Sequence, residues 1–241
     1  MKAVLFDLGH TLIDYHNDWR GPERRAVETV SKEVCNHLDN GLSTDEVSKH
    51  LFALLEAGRA IKLSKQIEIP LVQVLEDCFS RFKVKDAKLM DFGLESFYGV
   101  LLEGREIVPG TEEMLHTIKR MGYGIGLVSD VAWGLPSYFP LKDMRFYGLD
   151  DYFDDMVFST DVGLRKPNPK IFEIALQNLG SSPEESIFVG NNLQADIKGA
   201  LDVGMTAVLR RSNFYSHDDS IVPSAKISDW NEFLSLLRGT N

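Results

Sequence analysis

The chain has little cysteine, little positive charge and no long apolar run. Its two cysteines, Cys35 and Cys78, lie far apart in helix-like sequence. That excludes a disulfide scaffold and a cysteine metal site, and reads as buried thiols in a reducing compartment. No stretch approaches membrane-spanning length. The N-terminus lacks the basic and apolar regions of a signal peptide, so a cytoplasmic location is expected. Against 36 Asp and Glu stand only 26 Lys and Arg, for a net charge of −10. This balance advertises no basic face for nucleic acid, and an anionic substrate needs local positive charge or a metal against the overall field. There is no internal repeat and no low-complexity segment. What remains is 241 residues, 44% hydrophobic and 26% charged, enough for one large domain or one domain with a sizeable insert. The expected partner is a small-molecule substrate, with no nucleic acid and no membrane, for a monomer or homodimer.

The most informative stretch comes first. Residues Ala3 to Phe6 form a short apolar run that reads as a buried strand. It delivers Asp7 at its C-terminal end, where ligands sit in open α/β sheets. A carboxylate there can be a nucleophile, a metal ligand or both, or simply the start of a turn.

From Pro22 to about Glu103 the patterns are helical. Ala26, Val27, Val30, Val34 and Leu38 recur at helical spacing, with Asn40-Gly41 as a stop. Ser43-Thr44-Asp45-Glu46 starts a second helix carrying Val47, Leu51, Leu54 and Leu55. Pro70 opens a third, and a fourth runs roughly from Lys85 to Leu102. The block reads as an antiparallel bundle. Beyond Pro109 strands alternate with helices, which implies a parallel sheet with right-handed crossovers. Strands are expected near 123–129, Met156 to Ser159, Ile187 to Gly190 and Thr206 to Leu209. Helices are expected up to Met121, over Asn168 to Leu179 and Leu193 to Val203, and after Ser228-Asp229 with Phe233, Leu236 and Leu237 inward. Ser212 to Pro223 reads as a polar loop.

Four strand ends collect polar residues: Asp7, Ser129-Asp130, Arg165-Lys166, and Gly190-Asn-Asn-Leu-Gln-Ala-Asp196. Their order and type resemble the haloacid dehalogenase-like (HAD) superfamily. That family carries Asp-x-Asp-x-Thr after its first strand, and this chain has Asp7-Leu-Gly-His-Thr11. A Ser or Thr after a later strand matches Ser129, a Lys before a helix matches Lys166, and a Gly-Asp followed by a second Asp compares with Gly190-Asn191 and Asp196. The helical block resembles the family's C1-type cap.

The resemblance implies an α/β fold with a Rossmann-like doubly wound parallel core over 1–14 and 105–241, and a helical cap over 15–104. It implies a hydrolase, and a Mg²⁺-dependent phosphatase before other members. In that scheme Asp7 attacks the substrate and forms an aspartyl intermediate. Ser129, Asp130, Thr11 and Lys166 contact the substrate, with Lys166 also screening charge. Asp7, the Gly9 carbonyl, Asn191 and Asp196 hold the metal. Read without the family, Ser129 is a helix cap, Lys166 a loop lysine and Thr11 a turn hydroxyl, although Pro167 and Pro169 stiffen the backbone beside Lys166.

The departures are equally informative. The family's second Asp protonates the leaving oxygen and later activates water, whereas position 9 is glycine. Such acid–base help is typically worth ~10²–10⁴-fold. His10, three residues past Asp7, is the candidate replacement because imidazole exchanges protons near neutral pH; its plain reading is a surface histidine beside the cap. Asn191 replaces an Asp and removes one negative charge from the Mg²⁺ site. The segment Asp14 to Trp19 reads as a polar hinge or as a lining of the entrance. Both losses also suit metal-independent 2-haloacid dehalogenases, for which Arg20, Arg24, Arg25 and Arg59 are undifferentiated halide-binding candidates. A phosphonate-cleaving relative would use Lys62 or Lys65. A degenerate, non-catalytic HAD domain is the remaining alternative.

Overall fold

The computed structural model describes residues 2–16, 18–38, 41–212 and 220–239. The chain begins with β1 (Ala3–Phe6) and β2 (Ile13–Asp14), followed by α1 (Arg20–Leu38), α2 (Thr44–Lys65), α3 (Leu71–Arg81) and α4 (Ala87–Leu102). Next come β3 (Glu106–Ile107), α5 (Thr111–Arg120), β4 (Gly124–Ser129), α6 (Tyr138–Phe146), β5 (Asp155–Phe158), α7 (Ser159–Val162) and α8 (Pro169–Asn178). The chain continues through β6 (Ser186–Gly190), α9 (Gly199–Asp202), β7 (Thr206–Arg210), β8 (Ala225–Ile227) and α10 (Trp230–Gly239).

Six strands form a parallel sheet in the order β5-β4-β1-β6-β7-β8. All four residues of β1 are buried, as a central parallel strand covered on both faces requires. Side chains alternate between two cores. Val4 and Phe6 face the core that holds Met114, Trp230 and Phe233, while Ala3 and Leu5 face the one that holds Phe172 and Ile197. The α/β class and parallel core follow the sequence expectation.

Helices α1–α4 are inserted between β2 and β3, which pair antiparallel through Ile13–Ile107 and Asp14–Glu106. Ala26, Val27, Val30 and Val34 form the buried stripe of α1, which packs on α2 and α4, and α3 packs on both α2 and α4. Local signals explain the boundaries. Ser43 and Glu46 form a reciprocal capping box at α2, and Asp86 caps α4. No described helix is long and apolar enough to cross a membrane.

Several sequence expectations needed correction. The segment after Asn192 is a π-helical turn, Leu193–Lys198, running into the short α9 rather than one helix to Val203. Ser159 starts α7 instead of ending β5. Leu236 is largely exposed while Trp230 takes the inward position on α10. Helix α6 and strand β8 carry too few periodic residues to stand out by pattern. Of the expected loop 212–223, residues 213–219 lie outside the described residues; the rest contains no helix or strand.

Candidate active site

The strand order reverses at β1, which sends β4–β5 to one side and β6–β8 to the other. That switch point opens a crevice beyond the strands' carboxyl ends, and Asp7 stands in it. Its backbone N–H donates to Val189 O at 3.0 Å, which ties it to β6. The following turn wraps around the Leu8 carbonyl, which accepts from Thr11, Leu12 and Ile13, and places His10 at φ 58°. The same turn buries Thr11 behind the carboxylate, where Thr11 Oγ1 donates to Asp7 Oδ2 at 2.9 Å.

Lys166 closes the other side. Its Nζ donates to Asp7 Oδ1 at 2.6 Å and to the Val128 carbonyl at 2.8 Å, and lies 2.8 Å from Asp196 Oδ1. Two of the ammonium's three donors are thus hydrogen-bonded, and Asp196 adds an ion pair. Burial alone would lower the Lys166 pKa, but Asp196, Asp7 and Asp130 outweigh it and hold the group above the ordinary lysine value. The ammonium is therefore a permanent cation.

Asp196 reaches this cluster by folding back from the π-helical turn, a feature that recurs at functional sites. Its Oδ2 accepts from the backbone N–H of Asn191 at 3.0 Å and of Asn192 at 2.9 Å. A Cβ at position 190 would lie 2.5 Å from the Asp196 side chain, so only glycine permits this approach. Asn192 Oδ1 in turn caps the π turn through Gln194 N and Ala195 N, both at 2.9 Å. Asn191 Nδ2 donates to Ser212 Oγ at 3.1 Å, leaving the amide oxygen as its remaining donor atom toward a cation. Burial raises the Asp196 pKa to about 6, despite the opposing pull of Lys166 and with a further push from Asp7.

A second set of charges links this floor to the helical insert. The Glu68 carboxylate has no exposed surface and meets Lys62 Nζ at 2.7 Å, Arg165 Nη1 at 2.5 Å and Ser159 Oγ at 2.5 Å. Arg165 Nη2 also lies 3.5 Å from Asp130 Oδ2, and Asp130 Oδ1 accepts from Lys166 N at 3.1 Å. The backbones join as well: Glu68 N donates to Gly163 O at 3.0 Å and Arg165 N to Gln66 O at 3.0 Å. The loop carrying Lys166 is thus stitched to the turn between α2 and α3. Burial lowers the Lys62 pKa, although Glu68 opposes it.

Above the floor lies a cavity of about 590 Å³. Two of the chain's three tryptophans line it, Trp19 from the β2–α1 link and Trp133 from the turn after β4. Their rings meet edge to face at 5.5 Å. Trp133 is held at φ 52°, a conformation that a bulky residue keeps only when its surroundings impose it. Those surroundings are Glu23 Oε2, which accepts from the indole N–H at 2.5 Å, and Phe97, 5.3 Å from the ring. The next residue must be glycine, since a Cβ at 134 would lie 2.5 Å from the Ile69 carbonyl.

Asp7, Gly9, His10, Ser129, Asp130, Lys166, Asn191 and Asp196 all line this one cavity. Thr11, expected to contact substrate, is fully buried behind Asp7 instead. His10 Nδ1 is 3.7 Å from Asp14 Oδ1, and its ring stacks edge-on to Tyr15 and Trp19. From the 14–19 segment, Tyr15 and Trp19 line the cavity, whereas His16 bonds the Val100 carbonyl at 2.8 Å. Arg20, Arg59 and Lys62 line it; Arg24, Arg25 and Lys65 do not. Glu23, Glu68, Trp133 and Asp143 escaped sequence reasoning, because each acquires its place only through partners distant in the chain. The Trp133-Gly134 pair just past a polar strand end was the one local signal available.

The model of the haloacid dehalogenase-like hydrolases matches residues 1–204. The chain belongs to that family. It is 29% identical over 213 residues to a glyceraldehyde 3-phosphate phosphatase of Methanothermobacter thermautotrophicus, covering 88% of this chain and 86% of that one. It is 31% identical over 215 residues to a ribulose-1,5-bisphosphate 5-phosphatase of Halopiger xanaduensis, covering 86% and 83%. A solved HAD phosphatase from Thermococcus onnurineus superposes with a TM-score of 0.67 at 27% identity over 99% of each chain. This HAD-family chain is a hydrolase of the phosphatase kind.

Proposed function

We propose that the chain hydrolyses phosphate monoesters of small molecules through a covalent intermediate on Asp7, with residues 15–104 acting as a cap over the core of 1–14 and 105–241. The observation that carries this reading is the Asp7 carboxylate at the switch point, held by Thr11 at 2.9 Å and Lys166 at 2.6 Å. A carboxylate fixed this way is oriented for attack before substrate arrives. The Asp7 oxygen bonds to phosphorus as the ester P–O bond breaks, and the alkoxide or aryloxide leaves with the electron pair and takes a proton. Water then attacks the aspartyl phosphate, its oxygen going to phosphorus, and Asp7 is restored as phosphate and a proton depart. Ser129 and Asp130 border the transferring group, and Lys166 balances charge on Asp7 throughout.

A divalent cation fits the site's charge. Asp7, Asp196 and Asp130 pair with two cations, Lys166 and Arg165, and Arg165 is shared with Glu68, so carboxylates outnumber cations in this cluster before an anionic ester enters. The donors are of the hard oxygen type that Mg²⁺ takes alongside water: the Asp7 carboxylate, the Gly9 carbonyl and the Asn191 amide oxygen. Asp196 is a further candidate: its Oδ2 is held by the backbone N–H groups of Asn191 and Asn192, while its buried Oδ1 accepts no hydrogen bond. No group of three acidic, His or Cys side chains converges among the described residues, which fits a weakly held ion. When bound, Mg²⁺ supplies counter-charge to the phosphoryl oxygens.

Proton transfer is the unusual element. Gly9 has no side chain, and a Cβ there would meet nothing closer than the Tyr15 ring at 3.9 Å. A side chain at this position therefore starts in ordinary contact with Tyr15 and without a clash. His10 is the one imidazole among the cavity residues, and we assign it the proton of the attacking water. The test is a panel of phosphate monoesters and acyl phosphates with and without Mg²⁺, beside Asp7→Asn. Turnover lost in Asp7→Asn and stimulated by Mg²⁺ is expected. No turnover by either protein would refute the assignment, and halide release from 2-chloropropionate in EDTA would replace it with dehalogenation.

A further inference from the structure

We infer that the preferred substrates are aryl phosphates, the phosphate esters of phenols, with the phosphoryl group on the Asp7 floor and the ring against Trp133 and Trp19. This rests on the phosphatase reading and narrows it. Two independent features lead to it.

The first is the character of the cavity above the floor. Most of its inward polar side chains are committed to each other, with Arg20 and Gln66 the other polar side chains on the wall. Glu23 Oε2 takes both the Trp133 indole N–H and Arg59 Nη2, at 2.5 and 2.7 Å. Tyr15 and Tyr98 both donate to Asp143 at 2.7 Å. Lys62 is paired with Glu68 at 2.7 Å. A polyol phosphate placed here would find few partners for its hydroxyls, and each one buried without a partner is costly. A flat apolar ring meets two indole surfaces already at an edge-to-face separation of 5.5 Å, the arrangement aromatic groups favour. At about 590 Å³ the cavity also has room well beyond a phosphoryl group and a short carbon chain. The strained φ of 52° at Trp133 falls on the ring that would make the contact, as expected where strain serves a site.

The second feature is Gly9. Without a carboxylic acid at that position, P–O cleavage favours an oxygen that can depart as an anion. A phenol-type oxygen does so far better than an alkyl one, since its ordinary pKa is near that of tyrosine, about 10. The cavity selects the ring and the missing acid selects the bond; an aryl phosphate satisfies both.

The two effects separate experimentally. Benzyl phosphate and glycerol phosphate are both esters of ordinary alcohols, and differ in the ring. Phenyl and benzyl phosphate share the ring and differ in the leaving oxygen. With the full chain and Mg²⁺, kcat/KM for benzyl over glycerol phosphate is expected to be about three- to tenfold, the usual worth of an aromatic contact. Phenyl phosphate should exceed both. In Trp133→Gly, where glycine accepts the backbone conformation, the benzyl-to-glycerol ratio should fall to near one. Should that variant not fold, the wild-type chain still decides the matter. Phenylphosphonate should inhibit about three- to tenfold more tightly than methylphosphonate and quench tryptophan fluorescence. Hydrolysis of glycerol phosphate at least as efficient as that of benzyl phosphate, with equal inhibition by the two phosphonates, overturns the inference while leaving the phosphatase reading intact. No hydrolysis of any ester overturns both.

Discussion

At the floor of the cavity, Lys166 lies within 2.8 Å of Asp7, Asp196 and a backbone carbonyl, and these residues come from strand ends or from the loop and turn that follow strands. At the roof, Trp19, Trp133 and Tyr15 present rings while Glu23 and Asp143 are held by partners on separate elements. The floor is a charged cluster fixed by sheet topology. The roof is an aromatic surface fixed by tertiary packing. On the proposed function the contrast separates two jobs: the floor would set which bond is attacked, and the roof what is attached to it.

Removing the floor's cation breaks the comparison most severely. Lys166→Met leaves two buried carboxylates facing each other, so turnover should vanish and stability should fall by about 3–5 kcal/mol in urea unfolding. Substitutions at the two glycines sharpen it. Gly190→Ala drives a methyl group into Asp196, where 2.5 Å is available, and should cost about 1–3 kcal/mol in thermal unfolding with loss of activity. Gly9→Ala meets only the Tyr15 ring at 3.9 Å and should stay within about 0.5 kcal/mol of the parent. Equal costs at the two positions would contradict the description of the floor.

The weakest expected effect lies at the roof's edge. Tyr15 and Tyr98 both donate to Asp143, and burial first, then that carboxylate, raises the Tyr15 pKa above its ordinary value of 10.0; Tyr98 is raised too, by burial and then by its hydrogen bond to Asp143. A group whose folded pKa is raised contributes fully below its unfolded pKa and loses that contribution as pH climbs toward the folded one. The melting temperature should therefore decline as pH rises above about 10. Tyr98→Phe should show a shallower decline from a lower starting point, measured by circular dichroism.

The same contrast explains what the sequence revealed. Asp7, Ser129 and Asp196 were legible because each follows an apolar run and a break, Lys166 because prolines flank it before a helix, and all because strand ends gather on one edge by topology. The α1–α4 insert was legible from helical periodicity and the Ser43–Glu46 box. Trp133 and Glu68 were not. Nothing near Trp133 announces that Glu23, 110 positions away, will accept its N–H, and Glu68 gains its role from Arg165, 97 positions on. The exposed Leu236 shows the reverse failure, in which apolar spacing places a residue inward that packing leaves out.

The central claim is that the nucleophile's surroundings are complete while the proton donor is absent, and the room beside Gly9 makes it testable by restoration. The decisive measurement is kcat/KM across phosphate esters of graded leaving-group pKa, for the wild-type chain and for Gly9→Asp. The account predicts a steep decline with leaving-group pKa in the wild type and a nearly flat response in Gly9→Asp, with gains of up to about 10²–10⁴-fold on the poorest leaving groups. Parallel slopes for the two proteins would contradict it.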